Sequence, residues 1–309
     1  MSSKNTIYLQ LIIGTLFWGL NFHLAQISTS YLSPMGASAG RYFFAAIGIL
    51  ILFPFFGLKS VNKEMLRLSY KMAGKILLVG LSGVFLFNYF FFKGLVIADA
   101  INGALLIALN PVFTLIFSVF MLKVKVSKAQ LIGVAVSLTG VLIVISQGDI
   151  SVVLDLSFNM GDLFLLIASI LFAFHNVLIH KYLPWINSVL LTLFTTCFGA
   201  VLFTLFSMNE WLNVPEGLLD NRFWISVAVM GFFGTTLSFM FWNKGVKQIG
   251  SGNTAIFLNL VPIYAATTGL FFDKIITFNQ IIGGVFIGIG IHLAIKNSRK
   301  LKSIIKSSE

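Results

Sequence analysis

Charge is scarce in this chain. Asp, Glu, Lys and Arg make up 10% of its 309 residues, against about a quarter in a soluble domain. Acid is scarcer than base: ten carboxylate residues stand against 21 Lys and Arg, a net charge of +11. Cysteine occurs once, as Cys197 inside an apolar run, which excludes an intrachain disulfide and leaves a small packing residue rather than a metal ligand. There is no G-x-x-x-x-G-K-[ST] segment, which excludes ATP hydrolysis through a P-loop. The four histidines, His23, His175, His180 and His292, lack H-E-x-x-H spacing. No segment is low in complexity, and none of the polar connections is long enough for a separate soluble domain. No A-x-A pattern follows the first apolar run, which holds Trp18, Asn21 and His23; it reads as a retained helix rather than a signal peptide. No cofactor and no metal is implied.

What the chain has instead is hydrocarbon. Hydrophobic residues make up 58% of it, 33 of them Phe, and the mean hydropathy is +0.96. A helix needs ~20 apolar residues to cross a bilayer. Ten such stretches occur, at 7–26, 35–57, 74–96, 100–122, 129–146, 160–181, 188–207, 223–243, 252–272 and 278–295. The expected fold is therefore an all-α integral membrane protein of ten transmembrane helices.

Charge sets the expected orientation, because cytoplasmic loops collect Lys and Arg. With both termini cytoplasmic, 17 of the 21 basic residues fall inside. They include Lys59, Lys63, Arg67 and Lys71 in the second connection, Lys75 at the start of the third stretch, and Lys296, Arg299, Lys300, Lys302 and Lys306 at the end. The exceptions are Arg41, Lys93, Arg222 and Lys274. Among the acids, Asp99, Asp149, Asp155, Asp162, Glu210, Glu216, Asp220 and Asp273 fall outside, leaving Glu64 and Glu309 inside. The positive charge is thus a topology signal with an attraction to anionic lipid, and nucleic acid is excluded as a partner.

The chain also repeats itself. With a shift of 151, Phe90, Lys93, Gly94, Asn102, Ala104, Leu109 and Pro111 fall on Phe241, Lys244, Gly245, Asn253, Ala255, Leu260 and Pro262. Farther on the shift is 150, and Gln130, Gly133 and Gly140 fall on Gln280, Gly283 and Gly290. Two five-span repeats are expected, at 7–147 and 160–296, followed by a basic cytoplasmic tail at 297–309. Five is odd, so the second repeat enters the membrane inverted, as in many secondary transporters.

These features resemble the EamA-type family of the drug/metabolite transporter superfamily. The resemblance rests on Gly14-Thr15-Leu16-Phe17-Trp18-Gly19-Leu20-Asn21, on Arg41, on Ala104…Asn110-Pro111-Val112-Phe113 and on Gln130-Leu131-Ile132-Gly133…Gly140, with their second-half counterparts. Such proteins usually carry a glutamate before the Gln-x-x-Gly block. Here Lys123-Val124-Lys125 stands in the first half and Asp273 in the second. The resemblance implies export or exchange of small polar metabolites, often amino acids, through a central cavity, in a bacterial inner membrane. The other partners expected are membrane lipid and, if the chain is not a monomer, a second copy of itself.

Polar groups inside a bilayer are costly, so those without an obvious structural task are site candidates. Gly14, Trp18, Asn21 and Ala25 share one face of the first helix, and Asp162, Ser169, Ala173, Asn176 and His180 share one face of the sixth. Asn21 and Asn176 therefore either line a central cavity or serve as interhelical hydrogen bonds. Arg41 lies two turns past Pro34, ~10 Å into the membrane at ~1.5 Å per residue. It either holds a substrate carboxylate or pairs with Asp162 or Asp99. His175 and His23 are candidates for proton transfer or for simple packing, and His292 is interfacial. Asn88, Tyr89, Asn110 and Asn259, with Tyr264 beyond it, are further cavity candidates, and Trp242 is a candidate gate. Pro111 and Pro262 weaken equivalent helices. Gly284 and Gly288, like Gly36 and Gly40, form a G-x-x-x-G suited to close helix approach. Two other classes stay open: an enzyme acting on lipid, which the acid-poor span centres disfavour, and a channel or sensor.

Overall fold

The computed structural model describes residues 3–56, 70–98, 100–155, 158–215 and 217–306. Asp99, Glu216, most of the second connection and the last residues of the basic tail lie outside them. Ten helices are long and apolar enough to cross a membrane. They are α1 (Asn5–Thr29), α2 (Pro34–Phe56), α3 (Met72–Ile97), α4 (Gly103–Leu122), α5 (Lys128–Ser146), α6 (Met160–Tyr182), α7 (Ser188–Leu212), α8 (Asn221–Ile249), α9 (Ser251–Phe272) and α10 (Phe278–Ile295). Among the described residues there is no strand. In lipid each backbone polar group must find its partner within the segment, which an α-helix achieves. Several helices outrun their apolar stretches: α8 reaches Ile249, and the helix that begins α10 continues to Lys306.

Three acids at the end away from the termini start or brace helices. Asn159 and Asp162 form a capping box at the head of α6: Asn159 Oδ1 accepts from the Gly161 and Asp162 amides, and Asp162 Oδ2 accepts from the Asn159 amide at 2.7 Å. The Asp220 carboxylate accepts from the amides of Arg222 and Phe223 at 2.8 and 3.1 Å, opening α8. Glu210, late in α7, accepts from the Ser33 amide and hydroxyl, both at 2.6 Å, just before α2. Each carboxylate meets the positive end of a helix dipole. The Tyr31 hydroxyl also bonds Asp220 and, with those amides, holds its carboxyl below the usual range.

Four helices are not uniform. A π segment interrupts α3 at Leu81–Leu86 and another interrupts α8 at Met230–Leu237; the shift of 151 nearly superimposes them. In α4 the helix restarts at Asn110–Leu122, and in α9 a 3-10 turn, Ile256–Leu260, precedes a restart at Val261–Thr268. Pro111 and Pro262 both sit in the first turn of the restarted segment, where a missing N–H costs little.

The halves meet along a glycine seam between α5 and α10. A methyl built on Gly133 would lie 2.5 Å from Gly290 O, and one on Gly140 would lie 2.6 Å from Gly283 O. The internal repeat equates Gly133 with Gly283 and Gly140 with Gly290, so each contact is the two-fold image of the other. This reciprocity is the signature of inverted halves related by an axis through the seam. Close approach in α10 thus belongs to Gly283 and Gly290, seven residues apart. At Gly288 a methyl meets nothing within 4 Å, and at Gly284 it meets only the Ile263 side chain. Within this chain Gly284 and Gly288 therefore do not face α5: Gly284 lies toward Ile263 of α9, and the close approach to α5 belongs to the other pair.

Gly140→Ala is expected to destabilise the protein by about 1–3 kcal/mol or more, because two backbones must separate. Gly288→Ala is expected to be neutral. Thermal unfolding of the two detergent-purified variants checks this; equal midpoints contradict it.

Candidate functional site

A cavity of about 80 Å³ lies between the halves, walled by α1, α2, α3, α4, α6, α8 and α9. Its polar wall residues are Asn21, Arg41, Asn88, Asn110 and Ser169, and the aromatic ones are Trp18, Phe22, Phe87, Phe91, Phe92, Phe172 and Phe239. Phe22, Ala25, Phe92, Leu95, Ile107, Leu258 and Val261 also line a vestibule of about 430 Å³ that runs toward the end away from the termini, past Gln26, Thr29, Ala98 and Lys274. A side pocket of about 330 Å³ on the same side shares Asn88 and Phe92 with the cavity and adds Tyr89 and Lys93.

Arg41 dominates the electrostatics. It is 6% exposed. Its Nε donates to Thr235 Oγ1 at 2.7 Å and its Nη1 to Asn88 Oδ1 at 3.3 Å, while the Tyr42 ring centroid lies 5.6 Å from its Cζ. Asn88 in turn donates to Tyr42 Oη at 3.0 Å and Val84 O at 2.6 Å. Every partner is neutral. Of the carboxylates weighed for Arg41, Asp162 caps α6 and Asp99 lies outside the described residues. The π segment of α8 supplies Thr235, whose hydroxyl also donates to Met230 O, five residues back. Sequence reasoning missed Thr235 and Tyr42, and the only available signal was that a buried guanidinium requires neighbours.

Two further polar groups lack partners. Asn21, packed against Gly234, makes no side-chain hydrogen bond among the described residues. Ser169 Oγ is buried without one, while the Ser169 carbonyl accepts from Asn110 Nδ2 at 2.7 Å. Among the described residues no Asp or Glu lines the cavity, the vestibule or the side pocket.

Toward the termini the path is sealed. The Trp18 centroid lies 4.9 Å from that of Trp242, 5.9 Å from Phe172 and 5.7 Å from Phe239. Trp18 Nε1 donates to Gly234 O and Trp242 Nε1 to Asn176 Oδ1, both at 2.7 Å. Trp242 and Asn176 belong to this plug and do not line the cavity. His175 lies behind Phe172, its Nδ1 2.9 Å from Val79 O and its ring against Gly83. Asn259 Nδ2 donates to Ser137 Oγ at 2.9 Å, an interhelical bond in the packed interior. Tyr264 lies against Gly19, facing a separate groove with Gly288 and His292. His23 Nε2 lies 2.8 Å from Ala265 O on the vestibule wall.

Beneath the plug is a second pocket of about 420 Å³, lined by Ser118, Lys125, Gln130, His180 and Asn253 among others, which shares no lining residue with the cavity. Gln130 here and Gln280 in the vestibule are equivalent in the repeat, so the pocket is the vestibule's counterpart. A Ser118–Ser251 hydroxyl contact of 2.9 Å bounds it. Among the described residues no three His, Cys, Asp or Glu side chains gather to hold a metal.

A ten-helix bundle with inverted halves around a cavity reached from one end has the architecture of a membrane transporter. The comparisons agree. Residues 5–146 and 159–296 match the EamA-like transporter family. An uncharacterized transporter of Bacillus subtilis, YyaM, is 33% identical over 92% of both chains. An uncharacterized transporter of Archaeoglobus fulgidus is 22% identical over 94% of this chain and 98% of its own. A crystal structure at 18% identity superposes with a TM-score of 0.76, covering 96% of this chain and 99% of the other. The chain belongs to the EamA-like transporter family.

Asn88→Ala is expected to strip Arg41 Nη1 and Tyr42 Oη of their shared partner. The cost is about 1–3 kcal/mol for buried groups left unsatisfied. Thermal unfolding in detergent reads this, and an unchanged midpoint contradicts the bridging role of Asn88.

Proposed function

We propose that this protein is a secondary carrier of small polar metabolites bearing a carboxylate, an amino acid or a related compound, working by alternating access in a bacterial inner membrane. The observation that carries the reading is the cavity between inverted halves, continuous with a vestibule on one side and sealed by aromatic rings on the other. Two similar halves that exchange conformations present such a site to each side in turn. The pocket beneath the plug is then the second vestibule, with its connection closed.

The termini are assigned to the cytoplasm on the basic residues near that end, among them Lys123, Lys125, Lys128, Lys181, Lys244 and Lys247. The state described then faces outward. Arg41 is the substrate anchor: its forked guanidinium suits a carboxylate, and its neutral neighbours leave its charge uncompensated. Transport is driven by the substrate's own gradient or by protons. Asn21, Asn110 and Ser169 orient the polar part of the substrate.

Counterflow in proteoliposomes, loaded in turn with pooled amino acids, monocarboxylic acids, nucleosides and sugars, tests the reading with and without a pH gradient. Saturable exchange of a carboxylate-bearing pool is expected. Arg41→Gln, which deletes one side of a buried charge pair worth about 2–5 kcal/mol, is expected to lower that exchange at least about tenfold. Arg41→Lys is expected to be intermediate, since it keeps the charge and loses the fork. Wild-type exchange in both variants would remove Arg41 as the anchor, and no exchange by any pool in folded protein would count against the carrier.

A further inference from the structure

The net charge of the cavity wall narrows the substrate further than the presence of a carboxylate does. Resting on the carrier reading, we propose that the site selects singly charged carboxylates with a flat apolar body, and discriminates against zwitterionic amino acids bearing the same side chain.

The argument starts from the charge count. A guanidinium stays protonated in any protein environment and offers five N–H donors. Arg41 uses one on Thr235 and one on Asn88, so three remain. Among the described residues no acid lines the cavity or the two spaces that adjoin it. The remaining polar groups of the wall, Asn21, Asn88, Asn110 and Ser169, are neutral. An occluded site therefore carries one positive charge, and burying an uncompensated charge is costly.

A monoanion cancels that charge. A zwitterion brings no net charge: it leaves the site positive and adds an ammonium that finds no carboxylate. A dianion overshoots, and a cation doubles the imbalance. The zwitterion's ammonium has amide oxygens and aromatic faces to meet, but these compensate a full charge only in part.

The rest of the wall decides the body. Trp18, Phe22, Phe87, Phe91, Phe172 and Phe239 surround the polar patch, and rings of this kind favour offset or edge packing against another flat apolar group. Ser169 Oγ, buried and unpartnered, supplies one more hydrogen-bonding group to whatever fills the space. The approach has the same sign. Lys274 lines the vestibule and Lys93 the side pocket, which raises the local concentration of anions.

The test uses four compounds that share a phenyl ring and differ in charge near neutral pH: 3-phenylpropionate, L-phenylalanine, L-phenylalaninamide and phenylsuccinate. Binding to the full-length protein in detergent is read by tryptophan fluorescence, and exchange by counterflow in proteoliposomes. 3-Phenylpropionate is expected to bind at least about tenfold more tightly than phenylalanine, with the amide and the dianion weaker still. Asn21→Asp places a carboxylate on the wall at a side chain without a protein partner, and is expected to reverse the order of 3-phenylpropionate and phenylalanine. Phenylalanine binding as tightly as 3-phenylpropionate in the wild type, or an unchanged order in folded Asn21→Asp, overturns the charge rule and leaves the carrier intact. Binding of none of the four also overturns it, and the carrier then stands or falls on the pooled-solute exchange.

Discussion

Hydrocarbon offers no hydrogen bonds, and the rest of the molecule follows from that. The backbone is satisfied by ten spanning helices, and their irregular stretches turn inward. The π segments of α3 and α8 flank the cavity, and in α8 the bonds of Thr235 and Ser238 to carbonyls five residues back accommodate the extra residue. At the restarts of α4 and α9, Asn110 adjoins Pro111 and Asn259 lies three residues before Pro262, and both find partners across a helix interface. Non-helical backbone at membrane depth is tolerated where protein covers it.

The same constraint sorts the charges. Basic residues gather at one end and acids at the other, and three of the acids there start or brace helices as well as mark a side. Four basic residues break the separation, and three of them line spaces reached from the acidic end: Arg41 the cavity, Lys93 the side pocket and Lys274 the vestibule.

How far the sequence could be read follows from the physics. The number of spans was legible because bilayer thickness fixes helix length, and the inverted repeat because Lys-Gly, Asn, Pro, Gln and Gly recur at a constant shift. The site was legible in part. The small-and-polar stripe of α1 leads to Trp18 and Asn21, both on the cavity wall. The matching stripe of α6 leads to Asn176, which lies under Trp242. A repeat treats the two asparagines alike, whereas any one conformation opens one side and closes the other. The glycine seam was hidden for another reason: Gly283 and Gly290 are two turns apart, and only the facing helix distinguishes them from Gly284 and Gly288. The aromatic wall was hidden by abundance, since nothing in a chain with 33 Phe marks the few that turn inward.

The plug below the cavity leaves several polar atoms unanswered. His175 Nε2, Asn176 Nδ2 and Asn243 Oδ1 are buried without a hydrogen-bond partner, and each such atom costs about 1–3 kcal/mol. A seal built only of well-matched rings would hold the two halves together more firmly. These three atoms lower that hold, and in the proposed carrier water reaching them from the terminal side would satisfy them as the rings part. In the proposed carrier they act as a counterweight, narrowing the free-energy gap between the closed and open forms.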